Sequence, residues 1–418
     1  MGEFEQSQLI QRISRLKTAI ALGQPDRVPV APFFDGVMNR MTGGSYKDNF
    51  YDFDKAGQSA LAFLKKYPNV DAASMPQFTS GIANELGGTK MIDWPGRPGT
   101  RVSDYSTHQI EEYAFLEPEE YPELLRDYTG FMLRKYIPRA FPKLEGLKGI
   151  GFNDAFMMNT SMLTSLGTPD VVGAMKILEE IAGHEAKAMQ ATFKYSGIAA
   201  ELGYPTMITG VCEAPYDILG DYFRGTIGIF EDILDEDVEP YVEQVCDMFA
   251  EMQIGRLQYL RYLNLPFKSI FFPLHKGMDG FIGDEQYERL YWKPLKKIIM
   301  ALVDMGDVVP YIYTEGPYNT RLEYLADVPK GKVLYHFEKV DMKRAKEIVG
   351  KTSCIMGNLS ISNMEFGTKQ QIIDQTKELL DTCAPGGGYI FDFDGCLENA
   401  KEENIDAMFE TLEKYGKY

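Results

Sequence analysis

Three residues of this chain have the chemistry and the placement to meet at one metal ion: Glu315, His336 and Cys396. Glu315 follows an apolar, β-rich run over 308–313, and His336 lies on a second run over 332–337. The stretch between them is long enough for the helical crossover that joins parallel neighbours. Cys396 follows a third apolar run, 389–393, which opens after Pro-Gly-Gly-Gly. Three ligands from three strand ends, with a fourth position open, is the usual build of a catalytic zinc site. Each residue also has a plainer role: Glu315 as a helix cap before Gly-Pro, His336 as a satisfied core histidine, Cys396 as a small buried hydrophobe. Their coincidence at strand ends favours ligation. Cys212 also ends a strand and is the competing thiol.

His275 and Lys276, in Pro-Leu-His-Lys-Gly, form the other polar cluster at a strand end. They would orient a phenol or a carboxylate, unless they are a solvated loop pair. Asp35 after Pro-Phe-Phe, the pair Asn153 and Asp154, and Tyr313 just before Glu315 complete the candidate pocket lining. Phe152, Phe156, Met157 and Met158 make a stripe that suits a planar apolar ligand, or equally the packing of their own segment.

Elements must bring these residues together, and the pattern supplies them. Strand-like runs fall at 28–34, 70–75, 206–212, 268–272, 308–313, 333–337, 352–357 and 389–393, with helical periodicity between them from residue 205 onward. Eight strands alternating with helices predict an α/β fold, a (β/α)8 TIM barrel. Residues 1–418 form a single barrel domain, with 77–200 as a long, mostly helical insertion between strands 2 and 3. Within and after it the spacing predicts helices over 119–138, 169–196, 235–263 and 318–327. Active sites of such barrels sit at the C-terminal strand ends, where all the candidates above fall or loop over.

With 61 acidic against 43 basic residues the chain carries a formal charge of −18, which repels nucleic acid and anionic membrane alike. The opening Met-Gly-Glu-Phe-Glu lacks the basic head and apolar stretch of a signal peptide, and no run reaches the length of a membrane span. Five cysteines, odd in number and without CxxC spacing, point to a reducing cytoplasm. The oligomeric state stays open, a homodimer included.

Three segments resemble the uroporphyrinogen decarboxylase superfamily: Arg15 to Val30, the helical stretch from Asp341 running into Cys-Ile-Met-Gly-Asn, and Ala-Pro-Gly-Gly-Gly-Tyr-Ile. The resemblance implies a barrel of the uroporphyrinogen decarboxylase type. It also implies one of two activities, decarboxylation of a porphyrinogen or zinc-dependent methyl transfer involving corrinoid proteins. The Arg-rich segment that follows strand 1 in the decarboxylases reads Ala-Pro-Phe-Phe-Asp-Gly-Val-Met-Asn-Arg here, without that anion clamp. Methyltransferases acting on a thiol coenzyme carry His-x-Cys where this chain has Tyr313-Thr-Glu315, whereas Cys396 matches their later cysteine. The branch with Glu-Gly at that point is closer and implies Zn2+ held by Glu315, His336 and Cys396. A carboxylate and an imidazole leave zinc more electrophilic than thiolates do, which suits the poor leaving group of an ether. The resemblance thus implies the methyltransferase of an O-demethylase system, moving methyl from a vanillate- or veratrole-like methoxylated aromatic to a Co(I) corrinoid. No Asp-x-His-x-x-Gly segment is present, so the corrinoid would come on a separate protein. The alternatives are a metal-free decarboxylase or lyase, a methyltransferase for methanol or another small donor, and a silent binding protein.

Overall fold

The structure, a computed structural model, describes residues 2–152 and 159–418. Two short strands inside the insertion, β1 (Ile92–Asp93) and β2 (Gln109–Ile110), pair antiparallel. The next six form one parallel sheet in chain order: β3 (Gly210–Val211), β4 (Lys268–Leu274), β5 (Val308–Thr314), β6 (Leu334–Phe337), β7 (Cys354–Met356) and β8 (Tyr389–Ile390). Parallel strands need covering on both faces, and their near-continuous apolar sequences reflect it.

The two remaining staves, 28–34 and 70–75, enter through isolated bridges instead of full ladders. Val30 pairs parallel with Phe391, Asp71 N donates to Val30 O at 2.6 Å, and Ala73 pairs parallel with Thr206. Pairing therefore runs from β8 through both staves back to β3, closing the barrel. Pro29 and Pro32 lack the N–H groups a ladder needs, which keeps stave 1 irregular.

Alternation divides the core in two. Phe271, Tyr311, Tyr313, Leu334, Cys354, Met356 and Ile390 fill the barrel interior. Phe272, Leu274, Ile312, Tyr335 and Phe337 face outward into the larger core under the surrounding helices. The N-terminal helix Glu3–Ile20 lays Ile13, Leu16 and Ala19 against the interior cluster and stoppers the bottom of the barrel. It stops at Leu22 and Gly23, against which Gly387 packs at φ +80°. A Cβ there would lie 2.2 Å from Gly23 O, so the Pro-Gly-Gly-Gly turn admits no side chain at that point. Beside it, buried Asp71 accepts from Arg15 Nη1 at 2.5 Å, Arg27 Nη1 at 2.7 Å and Val30 N at 2.8 Å.

In the insertion the long helix Pro169–Glu201 packs on Gly81–Gly87 and on Phe53–Lys66. The helix expected over 119–138 is instead a chain of short pieces. It breaks at Asp127, whose extended backbone (φ −143°) lets its carboxylate cap the next turn from Gly130 N at 2.9 Å. The helix expected over 235–263 is present as Glu239–Leu257 followed by a 3-10 turn over Gln258–Tyr262, with Pro240 in its first turn, where a missing N–H costs nothing; a separate helix, Gly225–Leu234, precedes it. That expected over 318–327 shrinks to Leu322–Leu325.

Candidate functional site

Register decides what meets at the mouth. Pro273 of β4 pairs with Tyr313 of β5, and Tyr313 pairs with His336 of β6. Counting along the strands, His275, Glu315 and Glu338 occupy the next inward level. His336 lies two residues deeper, about 6.6 Å down at ordinary strand rise.

The upper level is a charged network. His275 Nε2 lies 3.5 Å from Glu315 Oε2, and its Nδ1 bonds Asp221 Oδ2 at 2.6 Å. Burial opposes charge on this imidazole, but the hydrogen bonds to Asp221 and Glu315 outweigh it and push the pKa up to about 11. Lys276, only 4% exposed, reaches Asp221 Oδ1 at 2.6 Å and Glu112 Oε1 at 3.3 Å. Asp217 holds the turn from below, accepting from His275 N at 3.0 Å, Lys276 N at 2.8 Å and Tyr291 OH at 2.6 Å. Its pKa rises to about 6, chiefly through burial. On β6, Glu338 accepts from Gly316 N, where φ of +89° turns the chain out of β5.

Glu213, directly after buried Cys212, completes this side. Its Oε1 accepts from Tyr222 OH at 2.6 Å, while its Oε2 is buried with no partner among the described residues. Burial, with smaller contributions from Asp217 and Asp221, pushes its pKa up to about 7 against the opposing pull of Tyr222 and His275. The sequence reading passed over Glu213. Its signal was position alone, one residue past a strand-ending cysteine.

Cys396 sits across the mouth, partly exposed. Burial raises its thiol well above the ordinary range, and the charges of Asp35 and Glu315 raise it further. Asp35 is half-buried, with its pKa pushed up to about 7 by burial and by Glu398. Tyr313 stacks on Phe271 with centroids 5.9 Å apart and donates to Asp394 O at 3.3 Å. Cys212 is 2% exposed, with its thiol raised to about 12 by burial. Asn153 and Met157, with Asp154, Phe156 and Met158, lie outside the described residues.

The structure thus brings Glu315 to His275, with Cys396 within reach of its charge, and does not bring His336 to them. His336 is fully buried, and its Nε2 lies 2.7 Å from Phe393 O. A carbonyl only accepts, so Nε2 carries the proton and Nδ1 is left to accept from Tyr311 OH at 3.1 Å. Burial lowers its pKa to about 4. Neither nitrogen has a free lone pair for a metal. Among the described residues no three His, Cys, Asp or Glu side chains are gathered as a metal ion requires. The set Glu315, His336 and Cys396, as folded, does not fit zinc.

The sequence profile of the family described as uroporphyrinogen decarboxylase (URO-D) matches residues 165–415. The chain belongs to the uroporphyrinogen decarboxylase family. The URO-D match spans all six strands of the parallel sheet and the loops that carry Glu213, His275, Glu315 and Cys396. No curated protein gives a significant sequence match. Among solved structures, a methyltransferase from Methanosarcina mazei matches with a TM-score of 0.60 and 16% identity, over 97% of this chain and 98% of its own. At that identity the likeness establishes a shared fold from end to end. Among the described residues no helix is long and apolar enough to cross a membrane.

Proposed function

We propose that this URO-D family member is a methyltransferase. In this reading it takes the methyl group of a methoxylated aromatic at the C-terminal mouth of the barrel and hands it to the corrinoid of a separate protein. The observation that carries the reading is the charge of the mouth. Asp35, Glu213, Asp217, Asp221, Glu315, Glu338 and Asp394 gather at or just beyond the strand ends. The cations among them are already engaged: His275 with Asp221 and Glu315, Lys276 with Asp221 and Glu112, Lys339 with Glu338. Arg40, in the stretch after stave 1, lies over the Tyr105 ring. Of these cations Arg40 alone lacks a carboxylate partner among the described residues, so a porphyrinogen carrying many carboxylates meets little to hold it, whereas a neutral ether meets no such penalty. The missing Arg-rich segment argues in the same direction, and the methyltransferase of like fold is in keeping with it.

When bound, a Co(I) corrinoid would supply the electron pair that takes the methyl carbon. The chain's own residues bind, orient and manage protons. Phe33, Phe271 and Tyr313 form an aromatic wall, with Phe33 edge-on to Phe271 at 5.8 Å, against which a planar ring can lie. His275, fixed at its Nδ1 by Asp221 and with its Nε2 3.5 Å from Glu315, places a cationic imidazole at the mouth, where an oxygen gaining negative charge would be stabilised. No step is assigned to zinc.

The test is anaerobic incubation with reduced cobalamin and a panel of methoxybenzoates, dimethoxybenzenes and methanol, followed by the absorbance of methylcobalamin. Methyl transfer from an aryl ether supports the reading. Release of CO2 from a carboxylated tetrapyrrole without any methyl transfer would replace it with the decarboxylase alternative.

A further inference from the structure

We propose that Glu213 is the proton donor to the leaving group: its carboxyl protonates the aryl oxygen as the methyl group departs. This rests on the methyl-transfer reading above and adds a residue to it. An aryl ether oxygen leaves poorly as an anion, so it needs either an electrophile or a proton. The metal set legible in the sequence is not assembled, since His336 is spent on Phe393 O and Tyr311. A proton donor, in contrast, is in place.

Glu213 stands two residues beyond β3, at the stave end beside that of His275. Tyr222 OH fixes one carboxyl oxygen at 2.6 Å, and the other, Oε2, is buried with no partner among the described residues. A buried, unbonded oxygen is costly for a carboxylate and much less so for a carboxylic acid, whose proton it can carry. The groups around it are Asp217, Asp221 and Tyr222 from the helical segment over 215–224, His275 and the Asp221-bonded Lys276 from just past β4, and Arg256 on Glu239–Leu257, which donates to Val211 O at 2.8 Å. Three acids crowd together there with two cations, the His275 imidazolium and the Lys276 ammonium, both of which bond Asp221. Of the three acids Glu213 holds a proton most readily. Its pKa of about 7 makes it an acid at neutral pH that still releases a proton readily.

The step balances. The C–O bond breaks heterolytically and its electron pair stays on oxygen, while the methyl carbon is taken by the nucleophile's pair on the corrinoid. The Glu213 O–H bond breaks, and the proton goes to the oxygen. The products are a neutral phenol, a methylated acceptor and a Glu213 carboxylate, which regains a proton from water after the phenol leaves.

The experiment varies the leaving group. Methyl transfer to reduced cobalamin is timed for methoxybenzenes bearing electron-releasing or nitro substituents, with the unsubstituted enzyme, Glu213→Gln and Tyr222→Phe. Glu213→Gln is expected to slow the electron-rich ethers by about 10²–10³-fold and the nitro ethers by less than about tenfold, since nitrophenolates leave unaided. The unsubstituted enzyme is expected to lose activity as pH rises through about 7. In Tyr222→Phe, which removes a hydrogen bond to the carboxylate, that loss moves to higher pH. Equal slowing of all ethers by Glu213→Gln, no slowing of any, or an unmoved pH profile in Tyr222→Phe overturns the assignment while leaving methyl transfer standing. An unsubstituted enzyme inert towards every donor overturns the methyl-transfer reading, and this assignment with it.

Discussion

Tyr313 and His336 stand opposite each other on adjacent parallel strands, their rings 4.6 Å apart. That pairing sets the level of everything above it. Glu315 rises with His275 and Glu338 to the mouth, and His336 stays in the packed interior with Tyr311 and Asp392.

His336 is therefore expected to govern stability and its pH dependence. Its folded pKa of about 4 lies below the ordinary imidazole value near 6.5, so the unfolded chain binds the extra proton first. The stability due to neutral His336 is present above about 6.5 and is lost as pH falls towards 4, by up to about 3 kcal/mol. Urea titrations at pH 7 and pH 4.5 read this. His336→Gln is expected to flatten the difference and to lower stability at pH 7 by about 1–3 kcal/mol through loss of hydrogen bonds to Phe393 O and Tyr311. An unchanged pH slope would mean that His336 is not buried neutral.

At the other end of the barrel, Asp71→Asn should be among the most damaging substitutions. Asp71 is fully buried between Arg15 and Arg27, so its loss leaves Arg27 without a carboxylate partner and Arg15 with Asp26 alone. The expected cost is about 3–5 kcal/mol, seen as a drop in Tm. If the proposed methyl transfer is the activity, the remaining folded fraction should retain it, because this network lies at the closed end of the barrel.

Asp221 holds His275 and Lys276, and Asp221→Asn should release them. The His275 pKa is expected to fall from about 11 back towards the ordinary imidazole range, measurable by NMR titration of its ring protons. If His275 keeps its proton well above pH 8 in this variant, Glu315 alone suffices to hold it.

Cys396 should alkylate slowly for a thiol that solvent can reach. Its pKa is raised by burial and by Asp35 and Glu315, so little thiolate is present at pH 8. Mass-spectrometric timing with iodoacetamide is expected to show slower labelling than a free cysteine, with Asp35→Asn and Glu315→Gln each faster. Ordinary thiol reactivity in the unsubstituted protein would show that these charges do not act on it.

Much of the site was legible as chemistry and missed as geometry. Glu315 and Cys396 stand out because polar side chains at the ends of apolar β runs have little reason to be there except the mouth. His275 was legible as a polar strand end, yet nothing local tied it to Glu315; that follows from Pro273 pairing with Tyr313. His336 looked like a ligand because it is a histidine on a strand adjacent to that of Glu315. The missing information was register, and a displacement of two residues along a strand turns a mouth residue into a core residue. Glu213 carried almost no signal, since its distinction is a burial that arises only when Tyr222, Asp217 and Asp221 fold back over it.

By itself the sequence determined that the chain alternates strands with helices and closes a parallel α/β barrel, because period and apolar run length are local properties that survive without partners. The stretch after strand 1, Ala-Pro-Phe-Phe-Asp-Gly-Val-Met-Asn-Arg, also shows without coordinates that the Arg-rich segment of the decarboxylases it resembles is missing. Tertiary structure alone decided which carboxylates share a level, which imidazole is cationic and which neutral, and where a proton rests. Those depend on distances of a few ångströms between residues far apart in the chain, and on how completely each is withdrawn from water.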